Sequence, residues 1–161
     1  MKSNIRIIFS IVVLTTVFVC LAACSKSDGV AKVNRNTEGL AVSGFDAVAY
    51  FVAENAVQGD GKYEYVWNGA RWLFSSQENM DKFKQNPEAY APQFGGYCSY
   101  AVSRGYTADA DPKAWKIVDG KLYLNYNQKA KEEWEKNLQK SIEDGKSNWV
   151  EFQNKKPEHK G

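Results

Sequence analysis

Few residues in this 161-residue chain could do chemistry. The thiols are Cys20, Cys24 and Cys98, and the single imidazole, His159, sits in a Lys- and Pro-rich tail. Without a histidine in the body, a Ser-His-Asp triad is excluded there, and a Cys-His dyad requires the tail to fold back. Multi-Cys and multi-His zinc sites are excluded on the same count. Cys98 follows Gly95-Gly96 at the start of a predicted short helix, Tyr97 to Arg104. Unpaired N–H groups and the helix dipole favour a thiolate at such a position, which makes Cys98 a candidate soft-metal ligand or redox centre. The alternative is a packed core cysteine, because Cys98, Ala101 and Val102 share one helical face. Asp46, between Phe45 and the apolar run Ala47 to Tyr50, is a weaker candidate as metal ligand or general base; the alternative is an N-cap on a short helix. Tyr90, Tyr97 and Tyr100 surround the Gly-Gly segment, where glycines permit close backbone approach, and are the expected lining of any pocket.

The N-terminus constrains where this chemistry takes place. Lys2 and Arg6 precede an uncharged, largely apolar stretch from Ile7 to Val19, the layout of a secretory signal. Leu21-Ala22-Ala23-Cys24 resembles the bacterial lipobox. That resemblance implies cleavage after Ala23, lipid on Cys24, and attachment to a membrane surface through acyl chains. Ser25 rather than Asp follows, which implies the outer membrane, facing the periplasm, in a Gram-negative cell. After processing, Cys98 is the only free thiol in an oxidising compartment, and no intramolecular disulfide is possible. Two-coordinate copper(I) at Cys98 would need a second sulfur, and Met80 is the remaining candidate. Outside the leader nineteen bases balance nineteen acids. A neutral body excludes a sequence-wide electrostatic grip on nucleic acid.

The elements that must position these groups follow from pattern. Residues 1–23 read as signal peptide, 24–39 as a polar tether, 40–153 as one folded domain and 154–161 as a solvated tail. Two hairpins are predicted at Asn68-Gly69 and Asp119-Gly120, where a type I′ turn needs positive φ twice. The first pairs Trp67 with Ala70, Tyr65 with Trp72 and Tyr63 with Phe74. The second pairs Ile117 with Leu122 and Trp115 with Leu124. About three helices are expected. One is introduced by the capping-box pattern Ser75 to Glu78 and carries Met80 and Phe83, one runs from Tyr97 to Arg104, and the longest starts near Asn127 with Ala130, Trp134 and Leu138 as its stripe. Strands and helices mix without βαβ order, so the expected fold is α+β, a small antiparallel sheet of two hairpins packed with these helices. No internal repeat is expected.

Several motifs in order carry a family resemblance. Tyr65-x-x-Asn68-Gly69-x-x-Trp72-x-Phe74-Ser75, followed by Phe83, Pro87 and Tyr90, resembles the YHS domain. The stretches Gly44 to Phe51 and Tyr90 to Cys98 resemble its longer, often exported bacterial branch, so that the likeness runs from about Leu40 to Trp149. The resemblance implies association with heavy-metal handling, copper or another soft ion being the expected ligand class. Metal-binding relatives carry a Cys after Asp-Pro-Val and two more in Phe-Cys-Ser-x-x-Cys. The matching residues here are Ala49, Ser75 and Asn79, so the resemblance carries over the fold but not the three thiolates.

The expectation is therefore a lipid-anchored, extracytoplasmic, non-catalytic binding module, related to metal. Two alternatives stand beside it: a thiol-dependent redox protein using Cys98, and a protein-interaction accessory of an envelope system.

Overall fold

The computed structural model describes residues 30–154. A 3-10 turn at Val42–Gly44 leads into helix α1 (Ala49–Val52), strands β1 (Asp60–Trp67) and β2 (Ala70–Phe74), and helices α2 (Gln77–Gln85) and α3 (Pro87–Tyr90). A second 3-10 turn, Gln93–Gly96, precedes α4 (Ser99–Ser103), β3 (Asp111–Val118), β4 (Lys121–Asn125), α5 (Gln128–Glu135) and α6 (Leu138–Asn154). The fold is α+β, as expected, but the two hairpins form separate two-stranded sheets rather than one. Among the described residues there are six helices rather than about three, because the four-residue α1 and α3 are added and because α5 stops at Glu135 and a new helix begins at Leu138.

Both hairpins turn on the predicted residues. Asn68 and Gly69 have φ of 48° and 72°, and Asp119 and Gly120 have 49° and 68°. The pairs Trp67–Ala70, Tyr65–Trp72, Ile117–Leu122 and Trp115–Leu124 all form. The pair Tyr63–Phe74 does not. The ladder is interrupted after Glu64, so that Asp60 faces Phe74 instead. The second hairpin carries the same interruption, Asp111 facing Asn125 and Trp115 facing Leu124. In each, the Asp carboxylate at the strand start accepts the N–H of the residue two positions on, Lys62 or Lys113, at 2.9 Å. This is the Asx turn that Asp favours, and it holds the irregular segment in place.

These parallels reveal an internal repeat, contrary to the sequence reading. Each hairpin is followed by a helix with a side-chain cap: Ser76 Oγ accepts the Asn79 N–H, and Asn127 Oδ1 accepts the Ala130 N–H. Each helix drives one fully buried ring into the core, Phe83 or Trp134. From the strand start to the buried ring, positions in the second unit lie 51 residues after their counterparts, as in Asp60 and Asp111, Gly69 and Gly120, Ser76 and Asn127, Phe83 and Trp134. The capping-box reading of Ser75 is corrected at the same time. Ser76 is the cap, which frees the Ser75 side chain for another role.

The core follows the two units. Phe83 sits among Trp72, Phe74, Trp67 and Tyr65, with ring centroids 4.8, 5.1, 5.7 and 6.4 Å away. Burying one such ring contributes about 1.5–3 kcal/mol. Trp134 packs on Tyr123 at 5.2 Å. Helix α6 closes the second cluster. Its Gly145 lies directly under the Phe94 ring, where an added Cβ would come within 2.7 Å of Cζ. Its Asn148 Nδ2 donates to the Val102 carbonyl at 2.8 Å. The polar stretch expected as tether is part of this packing from Val30 onward. Val33 is buried, and the Asn34 N–H donates to the Gly95 carbonyl at 2.8 Å. Among the described residues no helix is long and apolar enough to cross a membrane.

Candidate functional site

Asp46 is fully buried and is the centre of a closed hydrogen-bond network. Its placement is local in origin. The Asp46 N–H donates to the Val57 carbonyl at 2.8 Å, which fixes the backbone as the chain enters α1. Oδ1 then accepts the N–H groups of Val48 and Ala49 at 2.9 and 3.2 Å, satisfying two donors at the entry to α1 in the manner of a capping Asp. Oδ2 accepts from the Ser75 N–H, the Ser75 hydroxyl and Asn79 Nδ2 at 2.8, 2.6 and 2.7 Å. Five donors on one carboxylate fill the acceptor sites its two oxygens offer. A cation could reach Asp46 only by displacing them.

Besides Val48, the residues that meet on this carboxylate are Ala49, Ser75 and Asn79. They are the positions at which the resemblance placed thiolates in metal-binding relatives. Sequence reading identified both the positions and Asp46 but not their convergence, which spans 29 and 33 residues of chain. Beside the network, the fully buried Tyr50 hydroxyl donates to the Pro112 carbonyl at 2.9 Å and so ties the first unit to the irregular segment of the second. Burial, then the charges of Asp111 and Asp46, hold the Tyr50 proton well above the ordinary phenol range.

Cys98 occupies the counterpart of Asp46 in the second unit. Its N–H donates to the Ala108 carbonyl at 2.9 Å, as that of Asp46 does to Val57. Its Sγ caps α4 by accepting the Ala101 N–H at 3.5 Å, as Oδ1 of Asp46 accepts that of Ala49. The helix start expected at Cys98 is present, and the thiol is 1% exposed. Asn125 Oδ1 accepts the Tyr100 N–H at 3.0 Å and lies 4.0 Å from Sγ. Asn125 Nδ2 and Ser99 Oγ, both buried, have no hydrogen-bond partner among the described residues. The counterparts of Ser75 and Asn79 are Tyr126 and Ala130, which cannot close a polar network. Instead they line, with Cys98, Tyr100 and Tyr106, a cleft of about 390 Å³.

The remaining candidates separate. Met80 is buried in the first core cluster, whereas Cys98 is held against the second hairpin at Asn125. Of the three tyrosines expected to share a pocket, only Tyr100 lines the Cys98 cleft. Tyr90 packs edge-on against Phe51 at 5.5 Å, and Tyr97 packs against Trp149 at 5.9 Å. Tyr106 and Tyr126 take their places, exposed at 52% and 59%. No periodicity marked them, since each stands outside any regular element. Among the described residues no group of three or more His, Cys, Asp or Glu is placed to hold a metal ion. The segment expected as signal peptide, the expected lipidation residue Cys24 and the tail with His159 lie outside the described residues.

Comparison with known proteins agrees with the first unit. Neither a search of curated proteins nor one of solved structures returned a match. A family model does match, over residues 48–94, which covers Ala49, the first hairpin, α2 with Ser75 and Asn79 beside its start, and α3. The match is shorter than the Leu40-to-Trp149 likeness read from the sequence and leaves the second unit outside it. The matching family is the YHS domain, and the chain therefore carries a YHS domain at residues 48–94.

Proposed function

We propose that this protein is a lipid-anchored, extracytoplasmic binding module that carries a YHS domain and does no chemistry of its own. The carrying observation is the five-donor network on Asp46. It supports a position where relatives hold metal having been rebuilt as a structural joint between α1 and α2. The metal-related role that the family implies, with copper or another soft ion, then falls to Cys98. That thiol stands at the equivalent place in the second unit, beside an open cleft rather than a closed network. One thiolate with oxygen neighbours is a weak copper(I) site, and at 1% exposure the thiol cannot meet that of a second molecule, so binding through Cys98 is weak. Attachment through Cys24 holds the module at the membrane surface, where an envelope partner would meet it.

The redox alternative rests on the same thiol and on the unpartnered Asn125 Nδ2 and Ser99 Oγ. Elemental analysis and intact mass of the mature protein, purified from membranes, distinguish the readings. The proposal expects substoichiometric copper that disappears in Cys98→Ser. Copper that persists in Cys98→Ser contradicts it, and a sulfenic acid or mixed disulfide at Cys98 favours the redox reading. Cys24→Ala should abolish acylation and membrane partitioning. An acylated mature mass in that variant would overturn the anchor.

A further inference from the structure

A second cleft, of about 460 Å³, lies away from Cys98 where the N-terminal segment, the first hairpin, the turn of the second hairpin and α6 meet. Its apolar wall carries Trp67 and Trp149, both half-buried. Trp67 is held edge-on against the buried Trp72 at 5.7 Å, and the Trp72 Nε1–H donates to the Trp67 carbonyl at 3.0 Å. Trp149 is held between Phe94 and Tyr97, at 6.4 and 5.9 Å. Both indoles are thus fixed by the fold, which lowers the entropy lost when a ring packs against them.

The rim has a distinct charge. Lys32, Lys121 and Lys146 reach it from three separate parts of the chain, and none forms an ion pair among the described residues. Glu88 is the one carboxylate on the lining, so the rim keeps an excess of two positive charges. Outside the cleft, Lys82, Lys116, Lys131, Lys136 and Lys140 have acidic partners within 4 Å, whereas Lys62, Lys84, Lys113 and Lys129 have none among the described residues, so what sets the rim apart is the convergence of three free amines on one cleft. The segment that joins the walls is sterically committed as well. Gly95 has φ of +61°, and a Cβ there would run into the Lys32 carbonyl.

We propose that this cleft binds a small organic anion with a flat aromatic body. The rings lie against Trp67 and Trp149, and the acid group is held by the three lysines. Fixed indole faces select flat apolar bodies, and unpaired amines select a negative charge.

The test uses the mature protein and two dyes of similar ring system, 8-anilinonaphthalene-1-sulfonate and the uncharged N-phenyl-1-naphthylamine, followed by quenching of tryptophan emission. The expected result is one site that prefers the sulfonate and weakens as salt is raised. Exposed charge contacts change affinity by about two- to threefold each, so Lys32→Gln, Lys121→Gln and Lys146→Gln together should weaken the sulfonate by roughly tenfold. The uncharged dye should be unaffected by these three changes. Lys140→Gln, which lies outside the cleft and pairs with Asp144, serves as the control and should change neither. Three outcomes overturn the proposal: no sulfonate binding by the wild type, unchanged sulfonate binding in the triple variant, or equal preference for the two dyes.

Discussion

Asp46→Asn keeps the shape of the side chain and removes only its capacity to accept on both sides. An amide offers one acceptor oxygen and one NH2 group. With the oxygen kept toward Val48 and Ala49, the NH2 faces the Ser75 N–H, which loses its acceptor, while the Ser75 hydroxyl can turn and the Asn79 amide can flip to accept. In the opposite orientation it faces the Val48 and Ala49 N–H groups. Either way one backbone N–H is stranded, that of Ser75 in the first case and that of Val48 in the second, because the Ala49 N–H keeps the Asp46 carbonyl at 3.2 Å. Hydrogen bonds to a charged group contribute about 1.5–3 kcal/mol each, so one stranded donor predicts a loss of roughly 1.5–3 kcal/mol. That is a substantial part of the ~5–15 kcal/mol by which a small domain is stable, and corresponds to a melting temperature lower by about 5–10 °C. Urea denaturation followed by tryptophan emission should show a lower midpoint with an unchanged slope. Ser75→Ala removes one donor and strands nothing, and should cost only about 0.5–1.5 kcal/mol. A loss below about 1 kcal/mol in Asp46→Asn would refute the reading of the network as a structural joint.

Two further outcomes follow from the packing. Burial holds the Tyr50 proton above its ordinary value of about 10, so at higher pH the unfolded chain releases this proton before the folded chain does. Stability should therefore fall as pH rises beyond about 10. Tyr50→Phe should flatten that fall while costing about 1–3 kcal/mol at neutral pH through the stranded Pro112 carbonyl, and an unaltered slope in urea midpoints from pH 8 to 11 would count against it. Gly145→Ala should destabilise by about 1–3 kcal/mol despite the better helix propensity of Ala, because its Cβ would lie 2.7 Å from Phe94 Cζ. A higher melting temperature in that variant would show that α6 does not seat on Phe94 as described.

The hairpins were legible because their signals are local. Asn68-Gly69 and Asp119-Gly120 specify the turn, and alternation does the rest for four or five residues on either side. Legibility ends at Glu64 and Trp115, where the ladder is interrupted and alternation no longer reports pairing. The repeat escaped notice because across Asp60–Gln77 and its counterpart only five residues coincide, an Asp, a Lys, a Gly, a Leu and a Gln. What persists is the function of each position: Asx turn, positive φ, cap and buried ring. Helix α6 was hidden because its buried residues, Ile142, Gly145 and Phe152, form a stripe too thin to stand out among polar neighbours. At the site, the capping role of Asp46 was readable from its neighbours. Its contacts with Ser75 and Asn79 depend on how two distant elements pack, which no local pattern encodes. Cys98 was placed correctly at a helix start, yet the residues that share its cleft come from turns without periodicity.

The most direct test follows amide and side-chain signals of 15N-labelled mature protein during a copper(I) titration. If the position on Asp46 is a closed joint and Cys98 is the soft-metal contact, the signals of Val48, Ala49, Ser75 and the Asn79 side chain stay in place. Those of Cys98, Tyr100 and Ala101 move, and they stop moving in Cys98→Ser. Shifts centred on Ser75 and Asn79, retained in Cys98→Ser, would contradict the account.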